Sequence, residues 1–313
     1  MTRWLTAACL ATFAIPATAQ ETRIVTDHAG HEVAVPVHPE RIVSLHDWTT
    51  TVMIYELGGM LVGSTGRLDE DGGYEVRSGE ELYDLGFDDI ALASVHGQID
   101  IEEIASLDPD LIVGTAGDIA QYRTQLMQIA PTLLFDPQNG EPALKNYEDF
   151  AGWIGRSEAF DAELAAYRAR IEALAPRIAP DAPSYVAMTP NPVDGDIRLL
   201  RTFGAQTQVL NDLGFEPAAV VDELVPRDAQ GIYLSPEIVG RFDADWIFSS
   251  YRGDLGESPD TTLADLDRVA PGASDFLSAV PEQFVSHSRL HVYPMTFEAM
   301  NYLLDNLTHR LPE

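Results

Sequence analysis

Glu102–Ile112 reads EEIASLDPDLI and Glu237–Ile247 reads EIVGRFDADWI; laid over one another they share the pattern E-x-[IV]-x-x-[LF]-D-x-D-x-I. The apolar residues three apart suit a short helix, the Asp-x-Asp a turn, and the run closing on Ile a buried strand. The same helix-turn-strand unit used twice in a chain of 313 residues predicts two related α/β lobes. Asp100 is the expected N-cap of the first helix, with Glu103 closing a capping box, and Ser235 that of the second, with Pro236 at its first position. Glu102 and Glu237 then hold equivalent places in a first turn. There they either complement the helix dipole, at about 0.3–1 kcal/mol each, or present a carboxylate to a partner.

The α/β rhythm extends outward from both copies. Arg23–Pro36 alternates apolar and polar residues around Asp27-His28-Ala29-Gly30 and predicts a β-hairpin. Arg41–Leu45 and Met60–Ser64 are apolar runs of the kind buried on both faces of a parallel sheet, with a helix at about 49–57 stopped by Gly58-Gly59. Further elements are expected as a strand at 110–114, a helix at 119–130 and a strand at 132–135, closing the lobe near Gly155. From Ser157 the pattern is purely helical, with Phe160, Leu164, Tyr167, Ile171 and Leu174 on one face until Pro176 and Pro180. The rhythm then restarts with a strand at 184–189, a helix at 207–213 and a strand at 245–249. A strand at 290–293 and a helix at 297–311 complete it. The expected organisation is a leader at 1–19, a lobe at 20–155, a connecting helix at 156–180 and a lobe at 181–313. The fold class is α/β: two lobes with central, mostly parallel sheets joined by a single long rigid helix.

Composition narrows the function. The chain carries 50 acidic against 19 basic residues, the latter 18 Arg and one Lys, which excludes a nucleic-acid binder working by phosphate neutralisation. Arg3, the apolar stretch Leu5–Ile15 and Ala17-Thr18-Ala19 read as a cleavable secretory signal, too short to span a bilayer. Removing it takes away the single cysteine, Cys9, so thiolate catalysis, Cys-zinc sites and disulfides are excluded from the mature chain. No G-x-S-x-G elbow, G-x-G-x-x-G turn, P-loop or H-E-x-x-H motif occurs, and His28, His31 and His38 fall at the hairpin and His287 and His291 near the expected last strand rather than on an expected helix. Two lobes with no evident nucleophile or acid/base pair point to binding rather than catalysis, with no cofactor and no metal site in the protein.

Ligands of such sheets sit beyond the carboxyl ends of strands. Those places carry His46, Trp48, Arg67, Thr115, Tyr122 and Arg123 in the first lobe, and Arg198, Arg201, Tyr251 and Arg252 in the second. Aromatic rings and guanidiniums recurring at one edge, in so acidic a chain, suit an anionic ligand rich in carboxylates. The competing account is that each Arg pairs with a surface Asp or Glu.

TDHAGHEVAVPVHPERIVSL, IEEIASLDPDLIVGT and YLSPEIVGRFDADWIF together resemble the periplasmic binding proteins that serve ATP-driven importers of iron-siderophores, haem and cobalamin, over nearly all of the chain after the leader. The resemblance implies a periplasmic, monomeric protein that is not embedded in the membrane. It also implies a shallow cleft between lobes with little hinge closure. Glu102 and Glu237 would be the carboxylates that salt-bridge Arg on the two subunits of an inner-membrane permease. Val52, where haem and cobalamin binders often carry Glu, brings HDWTTTVMIYELG nearer the ferric-siderophore branch, and the Arg set suits a carboxylate-type chelate as the transported ligand. Haem or cobalamin is the alternative cargo, with His46, Tyr122 and Tyr251 as candidate axial ligands for haem. A secreted α/β hydrolase is the alternative of another class. AVPEQFVSHSRLHVYP departs from the family's last-strand pattern A-V-K-x-G-x-V-Y by added residues and the loss of its Lys and Gly.

Overall fold

The computed structural model describes residues 20–69, 71–178, 182–280 and 282–311; the expected leader lies outside them. The alternating N-terminal stretch pairs as an antiparallel hairpin, β1 (Thr22–Thr26) and β2 (Glu32–Pro36). Asp27 tightens its turn by accepting from the backbone N–H groups of Ala29 and His31.

The first sheet contains β3 (Ile42–Ser44), β4 (Leu61–Leu68), β5 (Tyr74–Glu75), β6 (Ala91–Val95), β7 (Leu111–Thr115) and β8 (Thr132–Phe135), in the order β5-β4-β3-β7-β8 with β6 also on β4. All its pairs are parallel except β4 with β5. The second contains β9 (Ser184–Asn191), β10 (Asp196–Leu200), β11 (Glu216–Pro217), β12 (Gly231–Leu234), β13 (Trp246–Tyr251) and β14 (Phe284–Ser288), in the order β12-β10-β9-β13-β14 with β11 on β9. Here β9, β11, β13 and β14 run parallel, while β10 and then β12 add to one edge through antiparallel pairings.

The repeated sequence explains itself in hydrogen bonds. Asp110 opens β7 and accepts from the backbone N–H groups of Glu40 and Arg41, at the entry to the neighbouring β3. Asp245 stands before β13 and accepts from the backbone N–H and hydroxyl of Ser184, the first residue of the neighbouring β9. Each second Asp of the pattern therefore pins the mouth of the adjacent parallel strand; the bonds from Ser184 hold Asp245 below the usual carboxylate pKa. Around this shared device the copies diverge. Ile101–Ser106 is an α-helix with Asp100 accepting from Glu102 N and Glu103 N, whereas Pro236–Phe242 is a 3₁₀ helix capped by Ser235. The reciprocal half of the capping box at Glu103 is not formed; its side chain lies instead by the Ser106 hydroxyl.

Three other expectations are corrected. The helix at 49–57 begins as a π-turn, Asp47–Thr51, before Val52–Glu56. The helix at 119–130 is broken into turns, Ala116–Ile119, Ala120–Tyr122 and Arg123–Leu126. The last strand is β14, and residues 290–293 belong instead to a short helix, Arg289–Val292, and the turn after it. Pairing along β13 outweighed the higher strand propensity of Leu290–Tyr293.

Between the sheets, Ser157–Leu174 is an 18-residue helix, about 27 Å long. Its buried Phe160 and Tyr167 meet Tyr147 of the helix Ala143–Trp153 and Phe297 of the C-terminal helix Phe297–Thr308. One apolar cluster consequently runs without a break from the hairpin (Val25, Val35) through β7 and β8 to Leu210 and Leu304. Glu56 adds a polar pin between the two halves. It accepts from Tyr83 Oη (2.9 Å) and Tyr147 Oη (2.5 Å) and caps the far half's terminal helix through the N–H groups of Phe297 (2.8 Å) and Glu298 (2.7 Å). Burial raises the Glu56 pKa, opposed by these four donors.

Candidate functional site

The carboxyl ends of the second sheet's strands open on a cavity of about 470 Å³. Thr189–Asn191 of β9, Ser250 and Tyr251 of β13, and Arg252 just beyond line it, with Arg198 of β10, Phe203, Tyr233 and Arg289 completing the wall. Of the expected site residues it therefore gathers Arg198, Tyr251 and Arg252. Arg289 comes into the set through the register of β14: the strand ends at Ser288, so the next residue stands at the same sheet edge as Tyr251, its neighbour's last residue.

Each guanidinium here has a distinct state. Arg198 donates to Gln230 Oε1 (2.7 Å) and lies over Tyr233, 5.5 Å from the ring centre. Arg252 grips Asp254 through Nε (2.7 Å) and Nη2, and its pKa rises, chiefly through that bond. Asp254 falls below its ordinary value because, although burial raises it, the bond and charge of Arg252 outweigh that. Arg77 reaches across from the first half, 3.9 Å from Asp254, while holding Glu75 at 3.2 Å. The Arg289 guanidinium has neither ion pair nor hydrogen bond among the described residues. Its Cζ sits 5.2 Å from the ring centre of Trp48 and 5.9 Å from those of Phe203 and Tyr293.

Trp48 is 8% exposed and lines none of the cavities described here. Arg77, 5.5 Å away, and Arg289 lie over its ring, and Tyr293 packs at 4.6 Å. The guanidiniums occupy the ring faces, and Trp48 takes the core place that the sequence leaves open to it beside a ligand contact. Trp48 thus joins the first half to the cavity wall through Arg289.

The remaining residues stand apart from this cavity. Arg67 on β4 is locked to the buried Asp47 at 2.9 Å. Arg201 is held by Asp222 at 2.7 Å and by the carbonyls of Val221 and Val225. His46, after β3, is half-buried, with Nε2 3.7 Å from Asp118 and its ring 6.0 Å from that of His96; desolvation lowers its pKa. Thr115 donates to the same Asp118 at 2.5 Å. Tyr122 borders an open depression at the carboxyl end of β6 that also holds Glu102 and Glu103, and Arg123 follows it with an unpartnered Nε. Glu102 and Glu237 are both exposed and free of ion pairs among the described residues. Each helix leads back to the start of the next parallel strand, which sets its first turn toward the carboxyl end of its own sheet. Among the described residues no cluster of His, Cys, Asp and Glu is arranged to hold a metal, and no helix is long and apolar enough to cross a membrane.

Sequence reading missed Arg289 and Arg77. Nothing in composition separates them from the other arginines, and Arg289 was hidden because the last strand had been placed after it rather than before it.

Residues 43–291 match the profile of the periplasmic binding protein family. A curated relative, the iron(3+)-hydroxamate-binding protein YxeB of Bacillus subtilis (strain 168), is 25% identical over 233 residues, 72% of this chain; the chain spans 66% of that relative's length. Among solved structures, Staphylococcus aureus SirA complexed with staphyloferrin B aligns with a TM-score of 0.73 at 19% identity, over 92% of this chain and 98% of the other. The petrobactin-binding protein YclQ of Bacillus subtilis gives 0.70 at 16% identity, over 94% of this chain and 100% of the other. These likenesses carry the fold.

Proposed function

Since the chain belongs to the periplasmic binding protein family, we propose that it captures a ferric siderophore in the periplasm and delivers it to an ABC importer. The observation that carries this reading is the cavity at the carboxyl ends of β9, β13 and β14, lined by Arg198, Tyr251, Arg252 and Arg289 and backed by Trp48 from the other half. Its volume lies within the range of small-molecule sites. The relatives named for hydroxamate, staphyloferrin B and petrobactin binding support the ligand class.

Within this reading the iron arrives wrapped in its chelator, so the protein supplies charge and shape rather than metal ligands. Arg198 and Arg252 attract the chelate's oxygens and Tyr251 provides an aromatic edge with a hydroxyl. The rest of the expected set, His46, Thr115, Tyr122 and Arg123, would form the facing rim. Arg67 and Arg201, held by Asp47 and Asp222, act on its shape. A carboxylate-type chelate fits this wall best. We take 20–155 and 181–313 as the two lobes, 156–180 as their connection and 1–19 as the cleaved leader. The protein would act as a monomer, with Glu102 and Glu237 docking the two permease subunits.

Titration of the purified protein with ferric siderophores, followed by tryptophan fluorescence, tests the reading. Saturable quenching by at least one ferric chelate, absent with the iron-free chelator, is expected. A panel of hydroxamate, catecholate and carboxylate chelates producing no saturable change would overturn it.

A further inference from the structure

Among the described residues, every cation at or beside the cavity except one already has a protein partner. Arg198 is bonded to Gln230, Arg252 to Asp254, and Arg77 to Glu75 and Asp254. The carboxylates lining the same cavity are engaged as well. Asp194 accepts from Asn191 Nδ2 (2.9 Å), Glu257 from the backbone N–H of Arg252 (2.7 Å), and Asp265 pairs with Arg268 (2.9 Å). Among the described residues, Arg289 alone presents a guanidinium to the cavity with no anion and no hydrogen-bond acceptor, and its Nε is fully buried.

Such an arrangement is costly to the empty protein. A partly desolvated cation without a counter-charge is unfavourable, and Arg77, Arg198 and Arg252 add like charge around it. Burial pulls its pKa down; Tyr293 opposes this, and the three guanidiniums add to it. The contacts that remain are with the rings of Trp48, Phe203 and Tyr293, which hold the guanidinium in place and soften the cost without neutralising it. A positively charged fork, fixed by three rings and lacking only its anion, is half of an ion pair whose other half must come from the ligand.

Resting on the ferric-chelate reading, we infer that Arg289 is the residue by which this cleft selects chelates bearing a free carboxylate over electroneutral ones. An incoming carboxylate forms the missing bidentate pair, while a neutral chelate leaves the cation buried and unpaired. Discrimination therefore comes from the cost of the unmatched state as much as from the bond in the matched one.

The experiment compares the wild-type protein, Arg289→Gln and Arg289→Lys against anionic ferric citrate and ferric staphyloferrin B and against electroneutral ferrichrome, with a melting curve of each protein without ligand. The wild type is expected to prefer the anionic chelates. Arg289→Gln should weaken them by about 10- to 100-fold, the worth of a hydrogen-bonded charge, while leaving ferrichrome affinity within about threefold. Arg289→Lys should fall between, having the charge without the fork. The ligand-free melting temperature of Arg289→Gln should equal or exceed that of the wild type, since an uncompensated cation has been removed. A lower melting temperature, an equal loss for charged and neutral chelates, or no change at all would overturn the assignment of Arg289 while leaving the ferric-chelate reading intact. A wild-type protein that binds none of the three overturns the assignment of Arg289, and one that also binds no ferric catecholate overturns the ferric-chelate reading with it.

Discussion

His287 shows how one buried side chain sets a pH limit. It is 5% exposed, lies on β14 opposite Ser250, and its ring meets Tyr302 at 5.8 Å, with His291 and Arg310 adding positive charge from the elements packed around it. Burial first, then those charges, lower its pKa to about 4. A histidine depressed in the folded state stabilises the fold fully above its unfolded pKa of about 6.5, and that contribution drains away as pH falls toward 4. The window is worth about 3 kcal/mol at most. Denaturant unfolding followed from pH 7 to pH 4 should lose stability over this range, and His287→Phe should flatten the slope; an unchanged slope would remove His287 as its source. The half-buried His46, displaced in the same direction, leaves a residual slope in the variant. At this scale little was legible: Arg198, Tyr251 and Arg252 could be named from their position after strands, but which arginine lacks a partner depends on residues far apart in the chain.

At the scale of elements, the duplicated pattern was readable because its second Asp serves a local need in both copies, pinning the entry of the adjacent parallel strand. Its helices were less so, since the first became α and the second 3₁₀ although their motif is common. The helix Gly204–Leu213 illustrates a constraint of another kind. Gly204 has φ of 49°, and a Cβ placed on it would lie 1.7 Å from the carbonyl oxygen of Tyr293, which follows the short helix Arg289–Val292. No rotamer relieves a contact with backbone. Gly204→Ala should cost about 2–4 kcal/mol, through the left-handed conformation and the displaced carbonyl together, read as a lowered denaturation midpoint. Because Tyr293 packs on Trp48, the same variant should also alter tryptophan emission. A midpoint within error of the wild type would show that the 289–293 segment yields freely.

For the whole molecule, the continuous apolar cluster through Tyr147, Phe160 and Phe297 and the four-donor grip on Glu56 tie the two halves together beneath the cleft. Wide hinge motion would have to open packed rings and strip a buried carboxylate of its donors, so the geometry favours small adjustments around the cavity. Two carboxylates on a body this stiff can address two fixed sites on a partner. Glu102→Lys combined with Glu237→Lys should therefore leave chelate affinity unchanged and abolish uptake in a transport assay; normal uptake by the double variant would remove the docking role. Sequence by itself determined the two-fold α/β plan, the hairpin and the long middle helix, because hydrophobic period, caps and turn residues act over a few positions and are written where they act. It also set the strong acidity of the chain and the scarcity of reactive side chains. Only the tertiary structure decided where the last strand ends, which guanidiniums are neutralised, that Trp48 lies beneath two of them, and that Glu56 caps a helix 241 residues away. Ion pairing and burial are settled by whichever groups the packed sheets bring within a few ångströms, a relation that spacing along the chain does not contain.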